Sequence, residues 1–430
     1  MKSFLIAISL FLLFGLTGIN YSQVTTQWSS VYNGSANDTD VVTSMTVDNQ
    51  GNVYVTGYSK GRTTGRDIAT VKYNPSGQQI WAVRFNDDNS DKDDAANAIA
   101  VDAVGNVYVT GYSTGLTSFK DIITVKYSSS GNLVWSSRYN GLGNDDDLAS
   151  AIAVDGLGNV IVTGYSVGMI SSEDFLTIKY NSAGSELWIG AYDNPDMNDI
   201  DIANAMILDG SGNIYVTGYS IGSGSAEDFT TVKYNAVGDE LWVRRYNGTG
   251  NDYDITSAIA VDGSGNVIVT GFSAGNGSSE DYATVKYDPQ GNSIWVNRYN
   301  SSSNSYDIST SVAADDQGNV YVTGYSYDDL NSEDYATIKY SSGGNQLWVS
   351  KYNGTSGEYD IATSVKVDVK GDVYVTGYSF DFDTKENYAT VKYNSAGSEI
   401  WVQVYNGASD GSDIASALFT DANDNVYVTG

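Results

Sequence analysis

Residues 254–300 carry four short runs of β-type patterning separated by glycine-bearing turns. Ser257–Asp262 is short and apolar. Asn266–Phe272 and Asp281–Tyr287 alternate apolar with polar positions and are rich in Val, Ile, Thr and Tyr, and Ser293–Tyr299 carries a tryptophan. Alternation of this kind predicts half-buried strands; they are named A, B, C and D. Turns at 262–266 (DGSGN) and 288–292 (DPQGN) place Gly where a tight hairpin needs positive φ. Beyond the first 22 residues no stretch has a helical period.

This unit recurs along the chain. The Gly closing a V-T-G triplet returns at Gly57, Gly111, Gly164, Gly218, Gly271, Gly324, Gly377 and Gly430, in steps of 53 or 54 residues. The strand-D tryptophan returns at Trp28, Trp81, Trp135, Trp188, Trp242, Trp295, Trp348 and Trp401, which accounts for all 8 in the chain. A period near 50 with four antiparallel strands per unit predicts an all-β fold, a β-propeller, in which each blade buries its faces against its neighbours. Residues 23–430 are read as one propeller domain.

The count gives a lone D strand (Gln27–Tyr32), seven complete A–D sets, then an eighth A strand (Ala415–Asp421) and B strand (Asn425–Gly430). If the N-terminal strand completes the last blade, the ring has eight blades, and this is favoured; seven blades is the rival. At Gly430 the chain stops where the other seven copies continue with an aromatic residue and Ser, so a C-terminal truncation is expected.

Through the pattern A-I-A-V-D-x-x-G-N-V-x-V-T-G-[YF]-S and the following D-Y-A-T-V-K-Y, the chain resembles the bacterial beta-propeller repeat family SBBP. The resemblance covers nearly all of the chain after residue 22. It implies a secreted or surface propeller and no single activity. The layout K-Y-N-x-x-G-x-x-[LI]-W is also similar to the blades of quinoprotein dehydrogenases, in blade packing only.

Lys2 followed by the apolar run Phe4–Leu16 predicts a signal peptide over residues 1–22; that run is shorter than the roughly 20 residues of a membrane span. Export to the medium or the outer surface of a bacterium is therefore expected, with no transmembrane segment in the mature chain. With Cys 0, no disulfide braces the fold. The charge is strongly acidic, 52 Asp and Glu against 22 Lys and Arg, net −30. Nucleic acid is excluded as a partner, since phosphate binding needs a basic surface.

The chain has no His, which removes Ser-His-Asp and Cys-His nucleophilic systems and His-ligated metals. Carboxylate chemistry survives. The D–A and B–C connections emerge on one rim and are long; the A–B and C–D turns on the other rim are tight. Two Asp series mark the long-loop rim. One opens strand A (Asp40, Asp94, Asp147, Asp201, Asp254, Asp307, Asp360, Asp413). The other opens strand C (Asp67, Asp121, Asp174, Asp228, Asp281, Asp334), with Asn387 breaking it. A role repeated in every blade is structural: such an Asp accepts backbone N–H groups of its own loop.

The sharper alternative is calcium, with candidate ligands Asp145, Asp147, Asp199, Asp201, Asp252 and Asp254 in the D–A loops; each loop falls short of the six to eight oxygens Ca²⁺ takes. No catalytic or cofactor-binding residue is singled out. Asp196, Asp328, Asp329 and Glu358 are loop variants, none of them half of a dyad. The expected function is a non-catalytic, monomeric binding or structural scaffold for a protein or glycan on the long-loop rim. The alternative is a carbohydrate-active propeller enzyme using rim carboxylates.

Overall fold

A computed structural model describes residues 24–87, 92–115, 118–195, 199–302, 304–327, 332–407, 411–421 and 423–430. The predicted signal peptide lies outside these residues, apart from which no helix among them is long and apolar enough to cross a membrane. Seven four-stranded antiparallel sheets follow one another: blade 1 (40–85), blade 2 (94–139), blade 3 (147–192), blade 4 (201–246), blade 5 (254–299), blade 6 (307–352) and blade 7 (360–405). In blade 5 the strands are Asp254–Val261, Val267–Ala274, Glu280–Tyr287 and Ser293–Tyr299, paired in that order.

Strand A begins earlier than its apolar pattern suggests. Asp254 pairs with Ser273, and a bulge between Thr256 and Ala258 shifts the side-chain alternation. The bulge explains the recurrent V-T-G glycine. A Cβ on Gly271 would lie 2.0 Å from the Ile255 carbonyl oxygen and 2.7 Å from Thr256 Cα.

The core is a series of interfaces between consecutive blades. Ile68 and Tyr54 of blade 1 pack with Val107, Val109, Ile123 and Val125 of blade 2, and the pattern repeats around the ring. The strand-D tryptophan lies in each interface. Trp81 rests on Gly131 in the C–D turn of blade 2, and its Nε1 donates to Ser129 O at 3.2 Å. Nearer the axis, a polar side chain of each strand A donates to the carbonyl of the next strand A: Ser150 to Ala203, Ser257 to Ser309, Thr363 to Ala415.

The favoured eighth blade is corrected. The propeller has seven full blades plus a small two-stranded sheet, Ala417–Thr420 with Val426–Thr429, which touches both blade 7 and blade 1. Gln27–Tyr32, expected as a D strand, joins no ladder. It still performs the packing part of that role. Trp28 covers Gly77 and donates to Pro75 O, and with Tyr32, Phe419 and Tyr427 it closes the apolar face of blade 1 around Val47, Val53, Val71 and Tyr73.

Candidate functional site

The long-loop rim is built on one row of residues across each blade. In blade 5 the register sets Asp254 opposite Ser273, and Ser273 opposite Asp281. The strand-A carboxylates from Asp94 to Asp360 are fully buried. Each accepts a backbone amide from its own D–A loop: Gly141 N to Asp147 at 2.6 Å, Gly248 N to Asp254 at 2.5 Å, Ser301 N to Asp307 at 2.7 Å. Burial pushes Asp94, Asp201, Asp254 and Asp360 up to about 6, against the opposing pull of those amides and of the strand-B Ser hydroxyls.

The strand-C Asp takes a hydroxyl from its own loop (Ser278 Oγ to Asp281, 2.9 Å) and an arginine from strand D (Arg298 to Asp281, 2.7 Å). Arg84, Arg138 and Arg245 repeat this with Asp67, Asp121 and Asp228, and each also reaches the strand-B Ser. These carboxylates hold loops and strands together.

One residue inward of that row, strand B carries a belt of half-buried aromatic residues: Tyr58, Tyr112, Tyr165, Tyr219, Phe272, Tyr325 and Tyr378. The strand-C position diagonal to them, one place beyond the row on the loop side, changes sign around the ring. Arg66 and Lys120 sit over Tyr58 and Tyr112 at 4.7 and 5.1 Å, whereas blades 3 to 7 carry Glu173, Glu227, Glu280, Glu333 and Glu386. Burial, with Asp146 and Glu173 nearby, pushes the Tyr165 phenol up to about 12. Blades 6 and 7 add a second aromatic layer. Tyr306 stacks near Tyr327, and Tyr359 near Phe380, while their hydroxyls donate to Glu333 and Glu386. Phe119, Met169, Ile170 and Phe382 stand exposed in the B–C loops.

The calcium candidates separate in two. Asp145, Asp199 and Asp252 each accept the amide of the following residue. Asp147, Asp201 and Asp254 are the buried strand-A carboxylates described above. Among the described residues, three carboxylates converge in one place: Asp174, Asp193 and Asp201, each offering an oxygen within 4.8 Å of the others. Only Asp201 of the six sequence candidates belongs to it. Asp193 was not singled out from sequence, although it is an Asp where the sibling repeats have Asn. Asp196, Asp328 and Asp329 lie outside the described residues.

On the tight-turn rim the Asp closing strand A builds an Asx-type turn. Asp262 accepts the amides of Ser264 and Asn266 and the Asn266 side chain. Its last lone pair is served in one of two ways. Where strand B has Tyr, the phenol donates, as Tyr54 to Asp48 or Tyr215 to Asp209. Where strand B has Ile161 or Ile268, the strand-C lysine takes over: Lys179 with Asp155 at 3.0 Å and Lys286 with Asp262 at 2.8 Å.

A curated relative, an uncharacterized WD repeat-containing protein of Acanthamoeba polyphaga mimivirus, is 26% identical over 384 residues. The alignment covers 71% of this chain and 25% of the relative, so the chain spans about a quarter of that protein's length. Among solved structures, the β-propeller domain of the trilobed protease from Pyrococcus furiosus is 10% identical, covering 85% of this chain and 95% of that one, with a TM-score of 0.42. A PL25 ulvan lyase is 14% identical, covering 85% and 91%, also with a TM-score of 0.42. The family model for the SBBP beta-propeller repeat matches this chain at three places, residues 27–70, 80–120 and 294–331.

Proposed function

We propose that the protein is a non-catalytic, exported propeller that acts as a binding or structural scaffold and engages a protein or glycan partner through the long-loop rim. The observation that carries this reading is the layering of that rim. The recurrent carboxylates are buried and engaged by loop amides, hydroxyls and arginines, while beside them stand half-buried aromatic rings with neighbouring Glu carboxylates. Tyrosine offers wide contact area with a polar tip at little conformational cost, which suits recognition of sugars or peptide surfaces. Export rests on the predicted leader at residues 1–22.

The test measures binding of a defined oligosaccharide panel and of purified surface proteins to the full chain and to a Tyr325→Ala/Tyr378→Ala variant, with product analysis of every glycan incubated. Saturable binding that falls in the variant, with the glycans intact, supports the scaffold. Turnover abolished by one rim substitution such as Asp334→Asn establishes the carbohydrate-active alternative.

A further inference from the structure

Blade 3 departs from its siblings at two positions near the end of strand D. The residue after the strand-D aromatic is Asn86, Asn140, Asn247, Asn300, Asn353 and Asn406 in the other blades; in blade 3 it is Asp193. Two residues before it, where blades 1, 2, 4 and 5 place Arg84, Arg138, Arg245 and Arg298 and blade 6 places Lys351, blade 3 has Ala191. Blade 7 also lacks this cation, having Val404. There, however, the strand-C carboxylate is lost with it, to Asn387. Blade 7 dropped both charges. Blade 3 dropped the cation, kept Asp174 and gained Asp193.

The structure brings those charges together across the seam between blades 3 and 4. Oxygens of Asp174, Asp193 and Asp201 lie within 4.8 Å of one another. Oxygens bound to one Ca²⁺ at about 2.4 Å are separated by no more than about 4.8 Å. Asp201 is 1% exposed; its Oδ2 accepts Asn194 N at 2.8 Å, and its Oδ1 is buried and meets no donor in good hydrogen-bonding geometry, the Ser220 hydroxyl being its polar neighbour. Asp174 is similar: Ser171 Oγ donates to Oδ2 at 2.6 Å, and Oδ1 has no donor. An Oδ1 of this kind recurs at every other described strand-A Asp from Asp94 to Asp360 and at the strand-C Asp of the other blades that keep it, but among the described residues only Asp174 and Asp201 belong to a group of three converging carboxylates.

Among the described residues, none of the ion pairs involves these three; Arg245 of blade 4 is committed to Ser220 and Asp228. Burial, and then the neighbouring carboxylates, push both Asp174 and Asp201 up, as expected of anions gathered without a counter-charge.

We propose that Asp174, Asp193 and Asp201 form a binding site for a hard divalent cation, Ca²⁺, which takes the charge-balancing place that an arginine holds in the sibling blades and clamps blade 3 to blade 4. An all-oxygen, all-carboxylate donor set selects a hard cation over transition metals, with water completing the shell. Asp201 anchors it from the buried side and Asp193 closes it from the exposed side.

The test titrates CaCl₂ into the chelator-treated full chain by calorimetry and by thermal unfolding. The expected result is one Ca²⁺ per chain, in the range of about 10⁻⁴–10⁻³ M typical of extracellular modules, with a rise in unfolding temperature. Asp193→Asn restores the residue the siblings carry, so its fold is preserved while affinity falls by about tenfold or more. Ala191→Arg supplies the missing cation covalently: it removes the calcium response and raises the unfolding temperature in chelator. Asp252→Asn, in another D–A loop, leaves binding unchanged. Absence of Ca²⁺ uptake by the wild type at millimolar concentration, or uptake undiminished in both Asp193→Asn and Ala191→Arg, overturns the proposal.

Discussion

Replacing Lys286 by Met removes one member of the most deeply buried ion pair among the described residues, with side-chain exposures of 1% for both Lys286 and Asp262. Asp262 keeps its amide donors from Ser264 and Asn266, but it loses its only cation. Uncovering a buried charge costs about 3 kcal/mol. Lys286 also donates to Gly318 O of blade 6 at 2.9 Å, so the substitution removes an inter-blade bond as well. Blade 4 supplies the control. Lys233 makes the equivalent bond to the next blade, to Pro289 O at 2.8 Å, but Asp209 is served by Tyr215 and does not depend on the lysine. Lys233→Met should therefore cost only about 1 kcal/mol.

The swap can also be reversed in blade 5. Lys286 Nζ lies close to where a Cβ on Gly318 would stand, and in other interfaces a strand-B Tyr hydroxyl occupies the matching place, as Tyr54 beside Gly105 does. Adding Ile268→Tyr to Lys286→Met should bring a phenol to Asp262 and recover about 1.5 kcal/mol. Urea unfolding followed by circular dichroism ranks the four proteins. Equal losses for Lys286→Met and Lys233→Met, or no recovery in the double variant, would refute the reasoning.

Gly271→Ala should cost about 3 kcal/mol, because its Cβ meets backbone rather than a side chain that can move; Gly210→Ala, where nothing lies within 4 Å, should be neutral in the same urea series. Trp295→Phe should lose about 1 kcal/mol with the bond from Nε1 to Ser342 O, whereas Trp188→Phe should lose less, since Trp188 Nε1 has no partner to forfeit. Asp94, Asp201, Asp254 and Asp360 have folded pKa values near 6, above the ordinary carboxylate value. The folded state therefore holds their protons more tightly than the unfolded chain. Their contribution is fully present below about pH 4 and is lost as pH rises through about 6. Stability should fall across that window, and an Asp254→Asn/Asp360→Asn variant should show a shallower fall; an unchanged slope would remove these two residues as its cause.

The chemistry of the rims was only partly legible. The strand-A and strand-C Asp series were visible as repeats, and a repeated role pointed to loop fixation. Their partners were not visible: Arg298 reaches back 17 residues to Asp281 and 25 to Ser273. The convergence of Asp174, Asp193 and Asp201 needs residues from two blades at once. Its trace in the sequence was the pair of exceptions Ala191 and Asp193, which gain meaning only when the structure shows Asp193 beside Asp174 and Asp201.

The sequence by itself determined the repeat, the four strands of each unit and the turns. Those features follow from alternation, glycine placement and period, all local properties of the chain. Only the tertiary structure decided the bulge that moves the start of strand A, the exchange between strand-B Tyr and strand-C Lys over the turn Asp, and the closing of the ring by a two-stranded sheet with an unpaired N-terminal segment. Each of these depends on what a neighbouring strand or blade brings to a shared space, and residues roughly one repeat apart meet there only after the ring has formed.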